Sequence, residues 1–129
     1  MTTTVLIVDD NDDMALMLQH LVGGEKDLAC VGRLDRADAL LETIAEKSPK
    51  IVLMDLTMPG RNPLVVMQEA GPKFPETRFV VLSGYDDPQY IDEALDHGAW
   101  GFVSKTGDIP AILAAIRAVA AGKVSVKHR

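Results

Sequence analysis

Lys50-Ile51-Val52-Leu53-Met54-Asp55-Leu56-Thr57-Met58-Pro59-Gly60 is the stretch on which the fold turns. Four apolar residues run straight into an acid, and a Pro-Gly breaker follows. A short apolar run bounded this way reads as a strand buried on both faces, the kind found in parallel sheets. Asp55 then stands at the carboxyl end of that strand. In open α/β sheets ligands bind along that edge.

Similar runs recur on either side. Thr4 to Val8 closes on Asp9-Asp10, Leu28 to Gly32 is a weaker run, Phe79 to Leu82 closes on Ser83-Gly84, and Trp100 to Val103 closes on Ser104-Lys105. Helical patterns fill the intervals. Asn11 is a good N-cap, Asp12 and Asp13 suit a first turn, and Met14, Met17, Leu18 and Leu21 share one face before Gly23-Gly24. Asp35 or Arg36 opens a second helix, with Ala37, Leu40, Leu41 and Ile44 inward and Ser48-Pro49 as its stop. Asn62-Pro63 starts a third, expected to run to about Ala70, before Gly71-Pro72. Asp87-Pro88 starts a fourth, with Gly98 after its end, and Asp108 caps a fifth. The stripe of that last helix is Ile109, Ile112, Leu113, Ile116 and Val119, and Gly122 ends it. Residues 123–129 read as a short basic tail, disordered or a truncated linker.

Strict alternation of strand and helix means βαβ units, right-handed crossovers, and a parallel sheet with helices on both faces. The expected fold is α/β, a five-stranded parallel sheet in the order 2-1-3-4-5, flanked by five helices, as in flavodoxin-like proteins. In that order the carboxyl ends of strands one and three meet at the switch point.

The chain has 129 residues, 47% of them hydrophobic, enough for one packed domain. A formal net charge of −6 argues against nucleic-acid binding by this domain, since phosphate contacts need a basic face. The single cysteine, Cys30, cannot form an internal disulfide, and a small buried residue is its simplest role. Met1-Thr-Thr-Thr lacks the basic start of a secretory signal, and no apolar run approaches the roughly 20 residues of a membrane span. The expectation is a soluble, cytoplasmic protein.

Four of the five strand ends carry polar residues: Asp9-Asp10, Asp55, Ser83 and Lys105. Each alone has a plainer role as turn, cap or surface charge. Together they face one crevice. Carboxylates held about 4 Å apart repel by roughly 4 kcal/mol per pair at an effective dielectric near 20, so the cluster calls for a cation or a proton. Oxygen ligands beside a phosphate suit Mg²⁺. Lys105 adds a second positive charge and Ser83 a hydroxyl donor, which makes a site for a phosphoryl group carried on a carboxylate.

These stretches resemble the receiver domains of two-component response regulators. The carriers are Val5 to Asp10, Val52 to Gly60, Val80 to Gly84 and Gly98 to Lys105; residues 1–122 would form the domain. Ala115 to Gly122 is similar to the NarL/FixJ-like class, whose members usually carry a C-terminal helix-turn-helix domain. The resemblance implies Asp55 as phosphoacceptor. It implies Asp10, Asp55 and the carbonyl of Thr57 as Mg²⁺ ligands, with Asp9 acting through a bound water. Lys105 would pair with the acyl phosphate. Ser83 would be the switch hydroxyl, and Phe102 the aromatic that follows it inward, the plainer reading of Phe102 being an ordinary core residue of its strand. Thr57 and Tyr85 would tune phosphoryl lifetime. Implied partners are a sensor histidine kinase or phosphotransfer protein and, on phosphorylation, a second copy, with the last helix as candidate face. The chain would catalyse only its own phosphorylation and dephosphorylation. Two departures stand out: Asn62-Pro63 replaces a frequent Asp-Gly, and Thr106 replaces a frequent proline, which leaves the geometry of that loop open.

Two other readings compete. A phosphatase with an aspartyl-phosphate intermediate would place a second acid two residues after the nucleophile, where this chain has Thr57. A flavodoxin would bind phosphate in the first loop, where Asp9, Asp10, Asp12 and Asp13 would repel it.

Overall fold

The computed structural model describes residues 2–84, 88–105 and 109–126. Along the chain run β1 (Thr3–Val8), α1 (Asp12–Gly23), β2 (Leu28–Leu34), α2 (Leu40–Lys47), β3 (Ile51–Asp55), α3 (Pro63–Lys73), β4 (Arg78–Ser83), α4 (Pro88–Asp96), β5 (Gly101–Ser104), α5 (Ile109–Ala120) and β6 (Ser125–Val126). All pairings are parallel, in the order β2-β1-β3-β4-β5-β6.

The expected order is therefore present, with a correction: the sheet has six strands, not five. Ser125 and Val126, assigned to a disordered tail, pair with Gly101 and Phe102. A two-residue strand carries no periodicity of its own, so nothing local announces it. Gly122, at φ +90, turns the chain back, and the N–H of Lys123 reaches the carbonyl of Ala118 at 2.9 Å. This is glycine's usual role after a helix.

Side chains of the strands alternate between two cores, as a period of two demands. Leu6, Val8, Val52, Met54, Phe79, Val81 and Phe102 pack under α2, α3 and α4. Val5, Ile7, Ile51, Leu53, Val80, Leu82 and Val103 pack under α1 and α5. Burial on both faces is why these strands read as unbroken apolar runs.

Some boundaries moved. β2 continues to Leu34 and α2 opens at Leu40 rather than at Asp35 or Arg36. Asp38, in the intervening turn, accepts the N–H of Arg61 at 2.9 Å, a contact between loops that no local pattern encodes. α3 runs through Gly71-Pro72 to Lys73 instead of stopping near Ala70. Both Pro72 and Gln68, whose carbonyl loses a partner, lie at the surface, where water replaces the missing bond. The buried face of α1 is Ala15, Leu18 and Val22, with Met14, Met17 and Leu21 half-buried beside it. In α5 the buried face is Ile112, Ala115, Ile116 and Val119, while Ile109 is exposed and Leu113 half-buried. Cys30 is also half-buried, its Sγ 3.6 Å from the carbonyl of Gly32. The caps at Asn11 and Asn62 are as expected: their side chains accept from the N–H groups of Met14 and Leu64. The expected caps Asp87 and Asp108, and Thr106, lie outside the described residues.

Candidate functional site

Asp9 follows the last residue of β1, Asp55 closes β3, Ser83 closes β4, and Lys105 follows β5. With β1, β3, β4 and β5 adjacent and in parallel register, these four are brought to one edge of the sheet. Ser83 stands one residue past Leu82, the register partner of Asp55, and its carbonyl accepts the N–H of Lys105 at 2.8 Å.

Asp9, Asp55 and Ser83 are the buried polar residues among those described, at 1%, 4% and 2% exposure. Carboxylate oxygens of Asp9, Asp10 and Asp55 lie within 4.8 Å of one another, with Asp10 at the solvent side. Lys105 Nζ stands 3.0 Å from Asp9 Oδ2 and 3.2 Å from Asp55 Oδ2. The second oxygens of the two buried acids are held by the chain: Asn11 N–H donates to Asp9 Oδ1 at 2.9 Å, and Thr57 N–H to Asp55 Oδ1 at 3.2 Å. Each bond fixes a carboxylate against its own loop and turns the other oxygen toward the crevice.

Burial raises the pKa of Asp55, because it disfavours the carboxylate. The Thr57 N–H and the Lys105 charge pull the other way, and the charge of Asp9 adds to the upward shift. For Lys105, burial works against the ammonium, but the two carboxylates outweigh it and its pKa is raised. The acids thus hold the lysine charged, while one lysine does not fully compensate the acids.

The donor set fits a hard divalent cation. Three carboxylates against one ammonium leave two formal negative charges. Asp9 Oδ2 is buried, and the Lys105 ammonium that faces it is shared with Asp55. One ammonium divided between two buried carboxylates, with a third carboxylate beside them, leaves negative charge that a second cation would offset. All ligand atoms are oxygens, which suits Mg²⁺, Ca²⁺ or Mn²⁺ over Zn²⁺.

The predicted residues therefore converge: Asp9, Asp10, Asp55, Ser83 and Lys105 share one edge. Thr57 is exposed beside them, attached through its N–H. Tyr85 lies outside the described residues. Phe102 is 2% exposed, inside the core, the position of the plainer of its two readings. Its register partner Val126 packs in the same cluster.

Arg33 escaped the sequence reading. Its guanidinium donates to the carbonyl of Asp9 at 2.9 and 3.2 Å and pairs with Asp12 at 2.8 Å. It clamps the loop that presents Asp9 and Asp10. Its clue was position: a cation at the end of β2, beside β1 and facing an acidic loop.

A doubly wound domain with a carboxylate cluster and a lysine at its switch point defines the class. Residues 5–117 match the response regulator receiver domain, and the chain belongs to that family. It is 28% identical over 123 residues to the oxygen regulatory protein NreC of Staphylococcus haemolyticus, an alignment covering 95% of this chain and 57% of that protein. The chain thus spans little more than half the length of the curated relatives it matches. Among solved structures, a two-component response regulator of the LuxR family from an Aurantimonas species superposes with a TM-score of 0.91 at 25% identity, covering 97% of this chain and 89% of that one. The signal receiver domain of a NarL response regulator from Mycobacterium tuberculosis gives 0.87 at 28%, covering 95% and 98%. The isolated receiver domain of RcsB from Salmonella enterica, solved with the phosphomimetic BeF3-, gives 0.90 at 21%, a likeness of fold, covering 99% and 95%.

Proposed function

We propose that this receiver domain accepts a phosphoryl group on Asp55 in a Mg²⁺-dependent reaction, and that the modified domain changes conformation to regulate an output. The observation that carries the reading is the double pairing of Lys105 with Asp9 and Asp55 beside the buried Ser83. A lone strand-end acid needs none of this.

A carboxylate oxygen of Asp55 attacks phosphorus. The O–P bond forms as the donor's N–P or O–P bond breaks, and the leaving group departs with its electron pair. Asp10 and Asp55, the Thr57 carbonyl, and Asp9 through a water would hold Mg²⁺. Bound there, the ion supplies positive charge for the phosphoryl oxygens. Lys105 moves from the Asp55 carboxylate to the new oxygens, and Ser83 donates to one of them. The phosphoryl group adds roughly −1.5 to −2 charges at a buried point, enough to bias a two-state element. Thr57, exposed beside the site, and Tyr85 would tune how long it lasts.

The donor is a sensor histidine kinase or a phosphotransfer protein, and the output is transcription through a DNA-binding domain on the same or another chain. The LuxR-family and NreC relatives favour this output. Among the described residues no helix is long and apolar enough to cross a bilayer. Turnover on an external phosphoester is not part of the reading, since Thr57 stands where a phosphatase places its second acid.

Acetyl phosphate with Mg²⁺ should label the wild-type chain. Asp55→Asn, or EDTA, should abolish labelling. Retained labelling of Asp55→Asn would refute the assignment.

A further inference from the structure

β6 covers the edge of β5, and its seat is built. Gly101 carries the crossing: a Cβ there would stand 3.2 Å from the Ser125 carbonyl and 3.3 Å from Val80 Cγ2. Ser125 N–H donates to the carbonyl of Trp100 at 2.9 Å. Gly122 and the Lys123 N–H aim the chain at this edge. Phe102 and Val126 are register partners in a parallel pair, so their side chains stand side by side on one face. Both belong to the core cluster that includes Ile91, Ala94 and Ala99. Without β6, the flank of Phe102 turned away from β4 would have no strand beside it.

We propose that residues 123–126 form a strap whose docked Val126 holds Phe102 inside, and that strap docking and phosphoryl binding at Asp55 favour each other. The proposal rests on the phosphoacceptor reading above. In that reading Ser83 donates to a phosphoryl oxygen. Ser83 lies two residues past Val81, the register partner of Phe102, so its side chain and the Phe102 ring share one face of the sheet, and an inward ring stands beside the hydroxyl that must move. The strap has already put the ring there, so the cost of moving it is removed from the phosphoryl step. Coupling of this kind is reciprocal: whatever factor the strap adds to phosphoryl affinity, the phosphoryl group adds to strap docking. Val126 is a positioning residue that acts through Phe102.

The test uses the 129-residue chain as wild type, Val126→Ser and Val126→Ile, with beryllofluoride and Mg²⁺ as the phosphoryl mimic. Fluorine NMR gives the affinity, and amide exchange at Ser125 reports the strap. Saturating beryllofluoride should slow Ser125 exchange about tenfold, within the usual range of couplings. Val126→Ser should weaken beryllofluoride binding by a similar factor, and Val126→Ile should restore it. A bound fluorine signal with unchanged Ser125 exchange would overturn the strap and leave the phosphoacceptor reading intact. So would a Val126→Ser protein that melts lower yet binds as tightly as wild type, since that is a merely structural role. No bound fluorine signal in the wild type would overturn the phosphoacceptor reading, and the strap's coupling with it.

Discussion

Replacing Lys105 with methionine removes the ammonium that faces two buried acids and keeps most of the side-chain volume. At 3.0 and 3.2 Å, each pair is worth about 5 kcal/mol of Coulomb attraction at an effective dielectric near 20. The protein will not lose that sum, because Asp55 has another way out: it can take a proton. Protonating an acid of ordinary pKa 3.8 at pH 7 costs about 4 kcal/mol, and the raised pKa of Asp55 makes the step cheaper. The expected loss for Lys105→Met in EDTA at pH 7 is therefore about 3 kcal/mol, in line with other broken buried pairs. For a chain of this size that lowers Tm by roughly 10 °C. Two dependences separate this cause from lost packing. Near pH 5 the proton is cheap and the deficit should fall to about 1–2 kcal/mol. Excess Mg²⁺ at pH 7 should raise the Tm of the variant more than that of the wild type, because only the variant lacks a resident cation. Thermal melts of both proteins at two pH values, with EDTA or Mg²⁺, give all of these numbers. A deficit that is absent at pH 7, or that does not shrink toward pH 5, would refute the electrostatic account of the site.

Asp55→Asn should stabilise the metal-free protein at neutral pH. The folded-state pKa of Asp55 is raised, so its favourable contribution is full below about 3.8 and is lost as pH rises through the folded value. The gain, read by melting in EDTA, should disappear near pH 4; a gain that persists there would point to packing instead. Gly60→Ala should cost about 1–2 kcal/mol in urea unfolding, because Gly60 sits at φ +89. Its new Cβ would also collide with Asp38 Oδ1, which holds the Arg61 N–H. Unchanged stability would mean that the loop after β3 has another conformation. Ser48→Gly should gain roughly 0.5–1 kcal/mol, since Ser48 is the non-glycine residue at positive φ among those described, and the bond from its N–H to the Ile44 carbonyl is kept. A loss would show that the serine side chain has a role at that turn.

Strand and helix alternation, the sheet order through β5, and the residues closing each strand could be read from the chain alone. These are properties of local pattern: apolar runs of strand length, a cap before each amphipathic stretch, a polar residue where each run stops. The acids and the lysine could be assigned to one crevice because a parallel doubly wound sheet has few topologies, and each sends its carboxyl ends to the same edge. Family likeness added roles to the acids, Ser83 and Lys105, which position had already singled out, and it alone pointed to Tyr85 and Phe102.

What the chain could not disclose depends on contacts between segments far apart in sequence. Arg33 works on the carbonyl of Asp9, a backbone atom, and a backbone atom leaves no signature in the side-chain pattern. β6 is too short for a period, and it exists because Gly101 leaves room and Gly122 turns the chain toward it. Asp38, in the turn before α2, bonds a loop that follows another strand, and no local pattern announces that bond. The inward position of Phe102 is also a tertiary fact: its residue type allows either orientation, and Val126, 24 residues on, stands beside it in the core. Local propensity placed the acids at the ends of their strands, and only the folded packing determined which oxygens face the crevice and which are held by the backbone.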